Sequence, residues 1–236
     1  MDIPPGHESI VEKRKVCKLK KSLYGLKQSP RAWFGRFTQA MRKNGYHQSQ
    51  SDHTLFLKHS LNGKITALIV YVDDIVMTGN DNVEISRLKT YLAKEFEIKD
   101  LGVLRYFLGI EVARSNQGIF MSQRKYVLDL LTETGMLACK PTDTPIEQNH
   151  RLGDNSDDTP VDRERYQRLV GKLIYLSHTR PDIAYDVSVV SQFMHNPCKT
   201  YMEAVYSILR YLKSALGKGL FLRTEEYCIP PPYMSY

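Results

Sequence analysis

Regular patterning begins at Pro30, where Trp33, Phe34, Phe37 and Met41 fall on one helical face, proline suits the first turn, and Gly45 supplies a stop. The period then changes. Residues 54–58, 65–72 and 75–78 are short and rich in apolar and β-branched side chains. Turn signals separate them: Leu61, Asn62, Gly63 and Lys64 first, then the pair Asp73 and Asp74. They predict three antiparallel strands, with two carboxylates at the tip of the second hairpin. Gly79, Asn80 and Asp81 offer a cap before Ile85, Leu88, Leu92 and Phe96, which recur at helical spacing, and residues 103–113 return to the character of one strand.

The second half reads as mainly helical, with the division near residue 120. Ser122 is the expected N-cap of a helix bearing Tyr126, Val127, Leu130 and Leu131, ended by Gly135. Residues 140–160, with Pro141, Pro145, Pro160, Asp154, Asp157 and Asp158, form an expected exposed linker. A helix with Tyr166, Leu169, Val170, Leu173 and Ile174 follows, Pro181 breaks the pattern, and Ile183, Val187, Val190 and Met194 resume it. Thr200 and Glu203 have the spacing of a capping box before Val205, Ile208, Leu209 and Leu212, with Gly217 as the stop. Beyond Leu222 no periodicity remains and Pro230, Pro231 and Pro232 interrupt the chain, so no further element is expected.

With 236 residues, 42% of them hydrophobic and 25% charged, the chain is long enough for a buried core and is neither disordered nor collagen-like. The longest apolar run, residues 67–72, falls well short of the roughly 20 residues of a membrane helix. The acidic start at Asp2 lacks a signal-peptide pattern. An intracellular protein, cytoplasmic or nuclear, with no membrane partner is expected. Cys17, Cys139, Cys198 and Cys228 lack CxxC spacing and read as free thiols. His47, His53 and His59 follow neither helical nor strand spacing and read as surface residues rather than a metal site. The absence of GxGxxG, Walker A, GxSxG and HExxH strings excludes the dinucleotide-cofactor, hydrolase and metalloprotease readings.

Two features carry chemistry. Lys plus Arg is 33 against 26 for Asp plus Glu, a net charge of +7, and Lys13, Arg14, Lys15, Lys18, Lys20, Lys21, Lys27, Arg31 and Arg36 concentrate the excess within the first forty residues. A phosphate backbone suits such a stretch, and so does a plain solvated face or a localisation signal. Second, the string Tyr71, Val72, Asp73, Asp74 places like charges side by side between apolar strands, which is unfavourable without a counter-charge. A divalent cation resolves the repulsion; an ordinary polar hairpin tip is the alternative. Phe107, Leu108 and Gly109 fit either a core strand or a close backbone approach to a ligand.

The strings at residues 19–34 (LKKSLYGLKQSPRAWF), 71–79 (YVDDIVMTG), 99–112 (KDLGVLRYFLGIEV), 118–131 (GIFMSQRKYVLDLL) and 135–145 (GMLACKPTDTP), with residues 166–194, resemble the reverse transcriptase of copia-type retrotransposon Pol polyproteins. They stand in the family's order and spacing over nearly the whole chain to about residue 222. The resemblance implies an α+β fold: a right-hand polymerase palm of antiparallel sheet and helices, followed by a helical thumb or connection region. Its parts would be a partial palm at 1–120, the thumb or connection-like helices at 121–222 and an irregular tail at 223–236. The fingers and the first palm strand would be missing.

By the same resemblance Asp73 and Asp74 are the catalytic and metal-binding carboxylates, for Mg²⁺ or Mn²⁺ in an incomplete site. Tyr24, Gly25 and Ser29 border the incoming nucleotide. Retroviral relatives usually have Gln where Tyr24 stands. Lys18, Lys20, Lys21, Lys27 and Arg31 contact nucleic acid, Phe107, Leu108 and Gly109 form a primer grip, and Lys99 lies where a proton donor to pyrophosphate is placed. The implied partners are an RNA or DNA template-primer, a deoxynucleoside triphosphate and an upstream Pol segment supplying a further Asp. The implied chemistry is metal-dependent RNA-directed DNA synthesis, absent from this fragment alone. A non-catalytic nucleic-acid-binding remnant, or a pseudogene product that folds poorly, is the competing expectation.

Overall fold

A computed structural model of the protein describes residues 26–146, 152–153, 158–223 and 233–235. In chain order its elements are α1 (Ser29–Lys43), β1 (His47–Gln48), β2 (Leu55–His59), β3 (Ile65–Tyr71), β4 (Asp74–Gly79), α2 (Asn82–Phe96), β5 (Asp100–Val103), β6 (Tyr106–Phe107), β7 (Ile110–Ser115), β8 (Gly118–Ser122), α3 (Arg124–Glu133), α4 (Arg163–Ser177), α5 (Ala184–Ser191), α6 (Lys199–Ser214), β9 (Gly219–Arg223) and β10 (Tyr233–Ser235). They form two units. The described residues up to Val103 join β10 in the first, and those from Leu104 to Arg223 make the second.

The first unit is an antiparallel sheet of order β1-β2-β3-β4-β10-β5 with α1 and α2 packed on one face. Strand alternation decides what those helices meet. Thr66, Leu68 and Val70 of β3 are buried, and so are their cross-strand partners Gly79, Met77 and Ile75 of β4. Phe37 and Met41 of α1, Phe56 of β2, and Leu88 and Leu92 of α2 complete this core. Phe37 lies at its centre, stacked on Trp33 at 5.1 Å, edge to face with Phe56 at 5.7 Å and tilted against Phe96 at 5.4 Å. Gly79 has a positive φ, and a Cβ there would stand 2.3 Å from the Ile65 carbonyl oxygen, so only glycine lets the strands close.

Helix α2 begins as its capping signal predicts. Asp81 accepts the Glu84 amide and, at 2.6 Å, the Ser60 hydroxyl. Glu84 in turn gathers Tyr46, Lys58 and Arg87 at 3.1, 2.9 and 2.9 Å, so the start of α2 is tied to β2 and to Tyr46, the residue just before β1.

Several expectations are corrected. Residues 103–113 are not one strand: the chain turns at Leu108 and Gly109, both at positive φ, in the pattern of a type I′ hairpin between β6 and β7. The second half carries the expected helices α3, α4, α5 and α6, and what was not expected there is β9, which joins β6, β7 and β8 in a four-stranded antiparallel sheet from residues 219–223, far along the chain. Ser122 ends β8 instead of capping α3, whose N-cap is Gln123. A strand forms at Tyr233–Ser235, where no element was expected. In the linker, Asp154 and Asp157 lie outside the described residues, whereas Asp158 has a definite task.

That task is to begin α6. Cys198, not Thr200, is its N-cap, which rules out the capping box. The free amides go to the preceding loop: Thr200 N–H donates to Asp158 Oδ2 at 2.9 Å and Lys199 N–H to the Thr159 carbonyl at 2.9 Å. Hydrogen bonds from Thr200 hold the Asp158 carboxyl far below its ordinary pKa. Cys139 and Cys198 are free; Cys17 and Cys228 lie outside the described residues. Among the described residues no helix is long and apolar enough to cross a membrane.

The helices of the second unit bury Leu131, Tyr166, Val170, Leu173, Val190, Val205 and Leu209 in one core. Arg180, 1% exposed, locks its corner. The guanidinium donates to both Asp182 carboxylate oxygens at 2.8 and 2.9 Å and to the Ala215 carbonyl at 3.0 Å, while Tyr211 donates to Asp182 at 2.7 Å. The turn Pro181–Ile183 is thereby fastened to the end of α6. Burial alone would raise the Asp182 pKa, but hydrogen bonds from Arg180 and Tyr211 outweigh it and hold the carboxyl at about 2. Because this is below the unfolded value of 3.8, the stabilisation is present above about pH 4 and is lost as pH falls through about 2. Asp182→Ala, which leaves a buried guanidinium unpaired, should cost about 3 kcal/mol in urea titrations at pH 7 and much less near pH 2.

Candidate active site

The two carboxylates stand where β3 turns into β4. Tyr71 pairs with Asp74, leaving Val72 and Asp73 as a two-residue loop. Of these only Val72 has a positive φ, +54°. A positive φ at the first loop position alone is the type II′ pattern, which favours glycine there because a β-branched side chain is crowded. Valine therefore holds the loop under strain, and it is also exposed. Strain of this kind persists where surrounding structure over-determines the backbone, as the paired strands do here.

Alternation also fixes where Asp74 sits. Leu68, Val70, Ile75 and Met77 face the helices, so Asp74 lies on the opposite side of the sheet with Ile69, Tyr71 and Val76. Burial there pushes the Asp74 pKa up, and the neighbouring Asp73 charge pushes it further. The expected hairpin is thus observed, with one refinement: Asp73 is in the loop, and Asp74 is already the first residue of a strand.

Such a pair offers hard oxygen donors and an unrelieved negative charge, which fits part of the donor set of a divalent cation. Among the described residues no group of three or more Asp, Glu, His or Cys side chains is placed to hold a metal ion. Asp52, the nearest acid upstream in sequence, is occupied in a local turn, accepting the Thr54 amide at 2.8 Å and hydroxyl at 2.7 Å. His47, His53 and His59 are exposed.

The other sequence-predicted residues are distributed as follows. Lys27, Ser29 and Arg31 lie at the start of α1, Lys27 and Arg31 exposed, and the first turn of that helix holds no acidic residue. Lys18, Lys20, Lys21, Tyr24 and Gly25 lie outside the described residues. Lys99 is exposed in the connection before β5. Phe107, Leu108 and Gly109 belong to the second unit, where their turn is seated on two tyrosines. The Tyr175 hydroxyl donates to the Leu108 carbonyl, and a Cβ on Gly109 would meet Tyr126 at 3.5 Å. Tyr126 and Tyr175 pack edge to face at 5.5 Å. Sequence reasoning missed this seat; the only signal was an aromatic at the appropriate phase of each helix.

Residues 1–148, well over half of the chain, match the family described as reverse transcriptase (RNA-dependent DNA polymerase). The chain belongs to the reverse transcriptase family. It is 43% identical over 224 residues to the retrovirus-related Pol polyprotein from transposon RE1 of Arabidopsis thaliana, covering 94% of this chain and 15% of that protein. Against the RE2 polyprotein of the same plant it is 41% identical, over 94% of this chain and 15% of that protein. Against the TNT 1-94 polyprotein of Nicotiana tabacum it is 38% identical, over 93% of this chain and 17% of that protein. No solved structure matches it. The copia-type relationship inferred from the motifs is therefore established, and the antiparallel sheets with helices are compatible with a piece of a reverse transcriptase. The chain spans about a sixth of the length of these relatives.

Two outcomes follow from the hairpin. Val72→Gly removes strain of about 1–3 kcal/mol and adds unfolded-chain entropy of roughly 0.5–1 kcal/mol. It should stabilise the protein by about 1 kcal/mol in denaturant titration. Because the Asp74 pKa is raised on folding, its charge opposes the fold: stability is full below the unfolded value of 3.8 and is lost as pH rises through the folded value. Asp74→Asn should therefore raise Tm at pH 7 without divalent cations, and the gain should vanish by pH 3.

Proposed function

We propose that this chain is the part of a retrotransposon Pol polyprotein that presents Asp73 and Asp74 to the metal-bound phosphates of RNA-directed DNA synthesis. The observation that carries the reading is the strained hairpin. A reverse transcriptase chain keeps two like charges adjacent, one of them on a strand where burial already disfavours ionisation, and holds the residue just before them in a conformation valine resists. That combination costs stability and is characteristic of sites retained for chemistry.

In this reading Asp73 and Asp74 hold the cation, which when bound would supply charge neutralisation at the transferring phosphoryl group. Clamping such a group needs carboxylates from more than one strand, so a further acid comes from beyond the described residues. The exposed Lys27 and Arg31, flanking Ser29 at the start of α1, suit phosphate oxygens. Lys18, Lys20 and Lys21 extend the basic stretch, and Tyr24 and Gly25 border the nucleotide. The turn at Phe107, Leu108 and Gly109, seated on Tyr126 and Tyr175, is stiff enough to position a primer end. Template-primer, a deoxynucleoside triphosphate, Mg²⁺ or Mn²⁺ and the upstream Pol segment are the proposed partners.

Primer extension on a primed RNA template tests this. A longer Pol segment containing this chain should extend the primer, and Asp73→Asn or Asp74→Asn should each reduce extension at least a hundredfold while template-primer affinity at fixed salt changes less than about threefold. The 236 residues alone should give no extension. Extension that survives both substitutions would return the hairpin to an ordinary polar turn and the chain to a nucleic-acid-binding role.

A further inference from the structure

A cleft of about 440 Å³ opens between the end of α1 and the loop that joins β1 to β2. Its size is that of a small-molecule site. Arg42, His47, Gln48, Ser49, Gln50 and His53 line it, and among the described residues no aliphatic side chain and no carboxylate does. A guanidinium, two imidazoles, a hydroxyl and primary amides therefore share one space, which suits an anion and not an apolar ligand.

Hydrogen bonds hold this space open. Ser49 N–H donates to the Leu55 carbonyl at 2.8 Å and Leu55 N–H to the Asp52 carbonyl at 3.1 Å, which closes the loop on itself. The Gln48 amide then works in both directions: Oε1 accepts from Arg42 Nη2 at 3.3 Å, and Nε2 donates to the His53 carbonyl at 2.6 Å. Arg42 and His53 are thereby set at two sides of the cleft. Whereas Arg36, Arg87 and Arg180 each pair with a carboxylate, Arg42 has none among the described residues. The acids nearby are already engaged, Asp52 by Thr54, and Glu84, which the Tyr46 hydroxyl reaches, by Lys58 and Arg87. The positive charge of the cleft is uncompensated.

We propose that this cleft binds a phosphate group carried by a single nucleotide, free or at the end of a strand. Arg42 takes the phosphate as a charged donor with several N–H groups. His47, His53 and Ser49 complete the shell with N–H and O–H donors, which a neutral imidazole supplies as well as a charged one. The site is separate from the acidic hairpin: β1 and β4 stand three strands apart in the sheet, roughly 14 Å across it. The loop nevertheless emerges at the end of the sheet that bears Asp73 and Asp74, because Thr54, next to His53, accepts the amide of Val70, next to Tyr71. That placement, and a volume larger than a bare phosphate needs, favour a nucleotide as the carrier. The choice of carrier rests on the function proposed above; the preference for phosphate does not.

Calorimetric titration of 2′-deoxyadenosine 5′-monophosphate into the full chain, without divalent cations, tests the site. Saturable binding is expected, competed by inorganic phosphate and not by 2′-deoxyadenosine. Arg42→Gln and His53→Gln, both at exposed positions, should each weaken it about tenfold, as the loss of a charge-assisted hydrogen bond does. Lys94→Gln, which removes a charge from the exposed side of α2, should change it less than about twofold. A 5′-phosphorylated oligonucleotide that competes better than the same strand without its phosphate assigns the carrier to a strand end; competition by neither strand assigns it to the free nucleotide. Equal competition by both strands would place a running backbone in the cleft and overturn the proposal. So would an absence of saturable binding in the millimolar range, competition by the nucleoside lacking phosphate, or binding that either folded variant leaves unchanged. None of these readings uses primer extension, so the cleft and the hairpin fail independently.

Discussion

The register between β3 and β4 is the constraint on which the first unit depends. Pairing Tyr71 with Asp74 across a two-residue loop places Leu68 beside Met77 and Val70 beside Ile75, and directs all four to α1 and α2. A slip of one residue would turn that set to the opposite face and carry Asp74 toward the helices. Each of these side chains is worth about 2 kcal/mol when buried, so a slip forfeits several kcal/mol. The strain at Val72, about 1–3 kcal/mol, is smaller. The core therefore wins, and the loop accepts a left-handed valine. The same balance aims Asp74: its side of the sheet is dictated by apolar residues that play no part in its chemistry.

What was legible in the sequence follows from how local the determining interactions are. Helices α1, α2 and α4 and the meander β2–β4 carry strong periodicity and nearby turn or cap signals, and they appear where expected. Residues 103–113 misled because their apolar pattern runs through a turn in which Leu108 takes a positive φ that leucine does not advertise. Thr200 and Glu203 have capping-box spacing, but the N-cap of α6 lies two residues earlier, at Cys198, with Asp158 from the preceding loop accepting the Thr200 amide. The second sheet needs residues 219–223 to complete it, and β10 owes its conformation to the open edges of β4 and β5 rather than to any preference of its own three residues. Of the candidate site, the acidic pair and its hairpin were visible, and the face of Asp74 can be counted from Leu68. The strain at Val72 and the tyrosine seat under Leu108 depend on backbone angles and distant packing.

The acidic side chains separate into two kinds. Asp52, Asp81, Asp158 and Asp182 each receive hydrogen bonds from a backbone amide, a hydroxyl or a guanidinium, and each has its pKa lowered. Glu84, surrounded by Arg87, Lys58 and Tyr46, is lowered as well, despite its burial. For these groups ionisation and folding support one another, and the fold explains their presence. Asp74 moves the opposite way, raised by burial and by Asp73. At neutral pH the fold thus holds in ionised form a carboxylate that it would be more stable without. An apolar residue at the head of β4 would extend the run from Ile75 to Met77 and remove that penalty. A charge carried against the interest of the fold needs an explanation outside it, and the cation-holding role proposed for the hairpin would supply one.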